Sequence, residues 1–353
     1  PAARAAKPAA DRRQTGHARP AQASVAKLTR FHIAALCPSL GAPAAPARPM
    51  NALQQLSRLS TLVADTGDLA AVRQFQPTDA TTNPSLILAA RETAADWARD
   101  CLQAARGAIG SARARLTVRF GCELLPNLKR YVSTEVDPRL SFDTAGTIAA
   151  GERRMGYYAE AGIGPERVLI KIASTWEGIR AARVLESRGV SCNLTLLFSL
   201  PQAQLCADAG VTLSSPFVGR ILDWHLAQGG SVASAAEDPG VQSVRRIYAW
   251  IKAGGYPTQV MGASFRNTGE ILALAGCDLL TISPKLLGEL EADHTTTVEA
   301  AIGGADAEES VVPDEAGFRW ALNSDAMATE KLADGIRRFT ADQAQLDAWL
   351  AAL

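Results

Sequence analysis

The chain has 353 residues, with 36 basic and 36 acidic side chains, so its formal net charge is zero. Balanced charge gives no electrostatic reason to expect nucleic acid or an anionic membrane as partner, and no stretch approaches the roughly 18 consecutive apolar residues of a membrane span. A hydrophobic fraction of 47 % supports a sizeable core, and the length suits one large α/β barrel or two average domains.

Residues 1–49 differ from everything after them. They are rich in Ala, Pro and Arg, and carry eight Lys/Arg against one acid, Asp11. Three readings fit: upstream sequence translated in error, a transit peptide, or a disordered basic arm. The expected division is therefore 1–49 as a disordered extension and 50–353 as the folded domain, with Met50 a candidate start before the helix-like NALQQLSRL.

From Met50 onward, short apolar and β-branched runs alternate with helical segments, the pattern of parallel strands with helical crossovers. Strands are expected at 62–65, 79–82, 131–136, 168–172, 192–197, 211–216, 258–263 and 279–283. Helices are expected at 143–161, 175–188, 201–208 and 240–253, and Asp325 is a candidate N-cap for a last helix beginning near Met327. Eight strands and their helices in about 300 residues predict a closed (β/α)8 TIM barrel.

In such barrels the chemistry comes from the C-terminal strand ends and the loops beyond them. Reading each end gives Asp65, Asn83, Glu135, Lys171, Asn193 with Thr195, Ser215, and Ser264 with Arg266. Lys171 stands in VLIKIAST, an apolar strand in which an ammonium loses water, and that favours the neutral, nucleophilic amine. The competing reading is a lysine held charged by Glu135 or Asp65; the polar rim around it favours chemistry. Two carboxylates with different surroundings suit a reaction that needs one proton shuttle for imine formation and another for carbon–carbon cleavage. Thr195 could position a water for Glu135. Arg220 and Arg266, with Ser264, are candidates for a phosphate clamp on the loops after late strands, against the plainer alternative of surface arginines bridging to helices.

The six cysteines, Cys37, Cys101, Cys122, Cys192, Cys206 and Cys277, include no CxxC pair, and the four histidines are dispersed. Neither a zinc site nor a compact disulfide framework is expected, and the thiols should be reduced.

The segments ADTGD, DATTNPSL, STEVDPRLSFDT, LIKIASTWEGIRAA, CNLTLLFSLPQA, SPFVGRILDW and GASFRNTGEIL resemble, in order, the motifs of the bacterial-type transaldolases. The resemblance runs from about Met50 to the C-terminus, least clearly over 285–318. It implies a circularly permuted class I aldolase barrel with the lysine on strand four, acting on phosphosugars in the cytoplasm, as a homodimer, without metal or organic cofactor. It further implies that Lys171 forms a Schiff base with a donor ketose. Asp65 would move the proton where the bond is cut, and Glu135, through water held with Thr195, would make and break the carbinolamine. Asn83, Asn193 and Ser215 would bind the dihydroxyacetone unit, and Arg220, Arg266 and Ser264 the phosphate. The implied reaction moves a dihydroxyacetone unit from sedoheptulose 7-phosphate to glyceraldehyde 3-phosphate in the non-oxidative pentose phosphate pathway.

Two alternatives stand beside it. A fructose 6-phosphate aldolase would share lysine and barrel, but direct aldolases of this superfamily resemble the pattern with Tyr where this chain has Phe217. A non-catalytic phosphosugar-binding barrel is opposed by the intact set of rim residues.

Overall fold

Side chains alternate across a β-strand, and in this chain the alternation sorts the barrel into a helix-covered outside and a graded inside. A computed structural model describes residues 50–303 and 310–353; the Ala/Pro/Arg-rich extension at 1–49 lies outside the described residues. Eight parallel strands close into a barrel in sequential order: β1 (Thr61–Asp65), β2 (Asp79–Thr81), β3 (Val132–Glu135), β4 (Val168–Ala173), β5 (Cys192–Leu197), β6 (Leu213–Pro216), β7 (Gln259–Gly262) and β8 (Leu279–Ile282). Every expected strand is present with bounds shifted by no more than two residues, and the lysine sits on β4.

Even-numbered positions face the helices. Ala64, Val132, Ile170, Leu194, Val260 and Leu280 join one buried cluster with helix residues such as Ile179, Leu185, Val244 and Ile247. Odd-numbered positions face the barrel axis, except beyond the register shift in β5 that turns Leu197 to the helix side, and their polarity changes along it. At the N-terminal end Val63, Leu169, Leu213, Met261 and Leu279 pack on one another with Tyr131 against them. Toward the C-terminal end the inward set becomes Asp65, Thr81, Lys171, Thr195, Ser215 and Thr281. An apolar plug thus closes one end, and polar side chains gather at the other.

The expected helices are present as Thr144–Glu160, Trp176–Ser187, Leu200–Asp208 and Pro239–Ala253. Three helices between β2 and β3, Pro84–Ala89, Ala95–Ala104 and Ile109–Leu124, were not foreseen. The last helix, Ala326–Ala351, is capped by Asp325, whose side chain accepts from the Ala328 amide. Its buried stripe of Ala328, Leu332, Gly335, Ile336, Phe339, Gln343, Leu346 and Leu350 follows helical spacing. Arg113, in helix Ile109–Leu124, pairs with Asp347, and Ser85 donates to Asp342. The first half of the stripe packs with Leu196, Phe198, Phe217, Ile221 and Ala263 at the C-terminal mouth of the barrel. No helix among the described residues is long and apolar enough to cross a membrane.

Candidate active site

Parallel register brings the central pair together. Glu135 on β3 and Lys171 on β4 are direct Cα partners, and Lys171 is in turn the partner of Asn193 on β5. Lys171 Nζ lies 3.4 Å from Glu135 Oε2, with both side chains almost wholly buried, and donates to the Thr82 carbonyl at 3.2 Å. The approach to Glu135 is close enough for an ion pair but falls outside hydrogen-bonding geometry, since Oε2 has no hydrogen-bond partner. Burial pushes the Glu135 carboxyl above its ordinary value, while the Lys171 and Arg220 cations pull it the other way.

Asp65 ends β1 and accepts from Thr81 Oγ1 at 2.8 Å; Thr81 Oγ1 also lies 3.3 Å from Thr281 Oγ1. It is thus held by a neighbouring strand, and the turn beyond it is capped by Thr66, whose hydroxyl accepts from the Asp68 amide. Asn193 Nδ2 donates to Ser133 Oγ at 3.0 Å, and its Oδ1 accepts from Ser215 Oγ at 2.5 Å. Asn83 caps the helix Pro84–Ala89 through the Leu86 amide at 2.9 Å.

Around these groups lies a cavity of about 50 Å³ lined by Asp65, Thr81, Asn83, Lys171, Thr195, Ser215, Phe217, Arg220, Met261, Ala263, Ser264, Thr281 and Phe339. Eight of the eleven residues singled out from the sequence are in that lining, and the other three touch it. Glu135 meets Lys171, Asn193 meets Ser215, and Arg266 Nη1 lies 3.4 Å from Ser264 Oγ. Two larger cavities, of about 590 and 580 Å³, lie beside Arg58 and Lys129 and beside Arg73 and Trp97. The first also holds a lysine with two carboxylates, Lys129 with Asp278 and Glu291, but Lys129 is exposed, so the burial of Lys171 rather than size selects the smaller one.

Three buried polar atoms of the site, Glu135 Oε2, Thr195 Oγ1 and Arg220 Nη1, have no hydrogen-bond partner. Buried polar atoms are ordinarily satisfied, and three exceptions around one lysine mark where a polar substrate would complete the set. Backbone strain gathers here too: Leu196, at a register shift in β5, and Ser264 hold left-handed φ values of 53° and 63°.

The two arginines differ. Arg220 is deep, its Cζ over the rings of Phe217 at 5.0 Å and Phe339 at 5.5 Å. Burial, with Arg338 and Arg266 near, works against its charge. Arg266 is exposed and is engaged by Asp223 through Nε at 3.0 Å and Nη2 at 2.5 Å. The bridging role weighed from the sequence therefore describes Arg266, which reaches the site by way of Ser264, and does not describe Arg220.

Sequence reasoning missed Thr81, Thr281 and Phe339. Thr81 was accessible to it, because it falls in phase with Asp79 and Asn83 on the inward face of β2. Among the described residues no group of three or more His, Cys, Asp or Glu side chains is placed to hold a metal ion, and Cys101, Cys122, Cys192, Cys206 and Cys277 are free thiols.

Residues 62–350 match the family model described as transaldolase/fructose-6-phosphate aldolase. The chain is 53 % identical over 301 residues to a protein of Pseudoalteromonas atlantica named transaldolase, covering 82 % of this chain and 95 % of that one. It is 54 % identical over 302 residues to an Alteromonas mediterranea transaldolase, covering 82 % and 94 %. Against the transaldolase of Bos taurus the figure is 53 % over 304 residues, covering 82 % and 90 %. A match of that length, over a closed eight-stranded barrel with a buried lysine on β4, places the chain in the transaldolase/fructose-6-phosphate aldolase family.

Proposed function

We infer that the chain carries out its transaldolase reaction through a Schiff base on Lys171, taking a dihydroxyacetone unit from sedoheptulose 7-phosphate and passing it to glyceraldehyde 3-phosphate. The observation that carries this reading is the register pair of Lys171 with Glu135, both almost wholly buried beside a polar pocket. Burial raises the Glu135 carboxyl, so that it can take a proton from the amine and leave nitrogen free to attack a ketone.

The attack forms a C–N bond at the ketose carbonyl carbon. Glu135, with Thr195 Oγ1 beside the cavity, returns a proton to the carbinolamine oxygen, which departs as water. The resulting iminium draws electrons from the bond between its α and β carbons, which become the enamine carbon and the carbonyl carbon of the departing aldehyde. As that bond breaks, the neighbouring hydroxyl becomes an aldehyde and gives its proton to Asp65, which Thr81 holds in place. The aldehyde leaves, and a dihydroxyacetone enamine stays on Lys171. Reversal with a second aldehyde forms the new bond, and hydrolysis of the imine frees the product. The iminium is itself the electron sink.

Asn193, oriented by Ser133 and Ser215, offers hydrogen bonds to the three-carbon unit, and Asn83 lies at the rim. Arg220 supplies the main charge for the aldehyde's phosphate, with Arg266 and Ser264 completing the clamp. A cytoplasmic enzyme working as a homodimer fits the resemblance of the chain to its relatives.

Borohydride reduction in the presence of fructose 6-phosphate tests the reading. The expected product is a dihydroxyacetone adduct on the peptide carrying Lys171. An unlabelled peptide, or cleavage of fructose 6-phosphate at full rate without an acceptor aldehyde, would contradict the transfer mechanism. Phe217, where a hydroxyl could activate water, is apolar and packs edge-on against Phe198 at 5.3 Å. This favours transfer over release.

A further inference from the structure

A guanidinium can be fixed in two ways, and they leave it with different capacities. Carboxylates fix it through its N–H donors and use them up, as Asp223 does for Arg266. Aromatic rings fix it through the cation's attraction to their faces, and the in-plane N–H donors stay available. Arg220 is held the second way, between Phe217 and Phe339, with Nη1 buried and unpartnered. Phe217 arrives with β6, in the same segment as Arg220. Phe339 comes from the far end of the chain, on the helix Ala326–Ala351.

The seating of that helix is fixed closely. Gly335 lies one turn before Phe339 on the same face. A Cβ there would stand 2.6 Å from Leu196 Cδ2 and 3.3 Å from Arg220 Nη1. A larger residue there would force the Leu196 side chain aside or move the helix away from β5 and the arginine. Leu332 and Ile336 pack with Leu196, Phe198 and Phe217 on either side of the contact, so the Phe339 ring is delivered to one place.

We propose that Phe339 is a positioning residue for phosphate recognition: its ring, carried by the C-terminal helix, holds the Arg220 guanidinium with its N–H donors directed at the phosphate of the aldehyde substrate. The proposal rests on the reading of Arg220 as the phosphate-binding cation. It assigns the last helix a part in substrate recognition and makes Phe339 matter in proportion to the charge on the substrate.

The test uses the full chain, with glyceraldehyde 3-phosphate and unphosphorylated glyceraldehyde as acceptors and inorganic phosphate as competing anion. Phe339→Leu keeps an apolar side chain but removes the ring. It should raise KM for the phosphorylated acceptor, and Ki for phosphate, by about five- to tenfold, with a clearly smaller change for glyceraldehyde. Phe339→Tyr, which restores a ring face, should recover most of the loss. Equal losses with both acceptors, or a tyrosine variant no better than leucine, would show that Phe339 only packs. Arg220→Ala separates the layers of the argument. If it leaves phosphate inhibition intact, Arg220 is not the phosphate-binding cation and the proposal falls with it. If it weakens inhibition while Phe339→Leu does not, the clamp stands and the role of Phe339 alone is refuted. Should the leucine variant fail to fold, Phe339→Met takes its place with the same expected outcomes.

Discussion

Glu135 and Lys171 stand opposite each other on adjacent strands, and their side-chain ends meet 3.4 Å apart with both side chains almost wholly buried. Such a contact serves structure and chemistry at once, and two substitutions distinguish its halves. Lys171→Met removes the nucleophile and should lower the transfer rate by a factor on the order of 10⁴ or more, as loss of a covalent catalyst does, and should abolish borohydride trapping. Glu135→Gln keeps the nucleophile and removes the proton shuttle, so kcat should fall by about 10²- to 10⁴-fold. Trapping should then proceed slowly to the same adduct. Equal and complete loss of trapping in both variants would place Glu135 in holding the lysine rather than in moving protons.

The two arginines should contribute unequally. Arg220 is half-buried with a buried, unpartnered donor atom, whereas Arg266 is exposed and already paired with Asp223. An ion pair near solvent is screened and contributes little, and a desolvated one contributes more. Arg220→Ala should therefore raise KM for the phosphorylated aldehyde by about 100-fold, and Arg266→Ala by about tenfold. Steady-state kinetics with both variants would check the order. A larger effect at Arg266 would reverse the assignment.

Gly335 gives a stability prediction with a functional signature. Alanine is normally the better helix former, but here its Cβ would press on Leu196 and Arg220. The clash should outweigh the gain and destabilise the protein by about 1–3 kcal/mol, the range for overpacked cores. A lowered Tm accompanied by a raised KM for the phosphorylated acceptor is the expected pair of results. An unchanged or raised Tm would mean that the helix shifts easily.

Glu270 should make stability depend on pH. It is 1 % exposed, and burial raises its carboxyl from 4.5 to about 7, although it accepts the Arg266 amide at 2.7 Å. The folded protein then binds a proton more readily than the unfolded chain. The contribution of this group is greatest below pH 4.5 and is lost as pH rises to about 7. Glu270→Gln should flatten that part of the stability profile, measured by chemical denaturation across the interval. A profile identical to that of the parent would exclude Glu270 as the source.

Much of this was legible in the residues themselves. Each strand announced itself as a short apolar run, and its polar end named the rim. What periodicity could not supply was the partner of each side chain. Arg220 and Arg266 look alike in sequence, and only folding shows one between two rings and the other against Asp223. Phe339 sits in a stripe with Leu332 and Ile336 that reads as ordinary core; its place over Arg220 depends on how the last helix crosses the barrel mouth. The helices between β2 and β3 were readable as well: in Ala95–Ala104 the buried Ala98 and Cys101 stand three residues apart on one face.

The plug made by Val63, Leu169, Leu213, Met261 and Leu279 has a kinetic consequence. With the far end of the cylinder stopped by hydrocarbon, a substrate bound at Lys171 would have to enter and leave by the same doorway. On the proposed mechanism the first aldehyde would then clear that doorway before the second entered, an ordered exchange set by architecture. The proposed covalent enamine would keep the three-carbon cargo aboard during the handover.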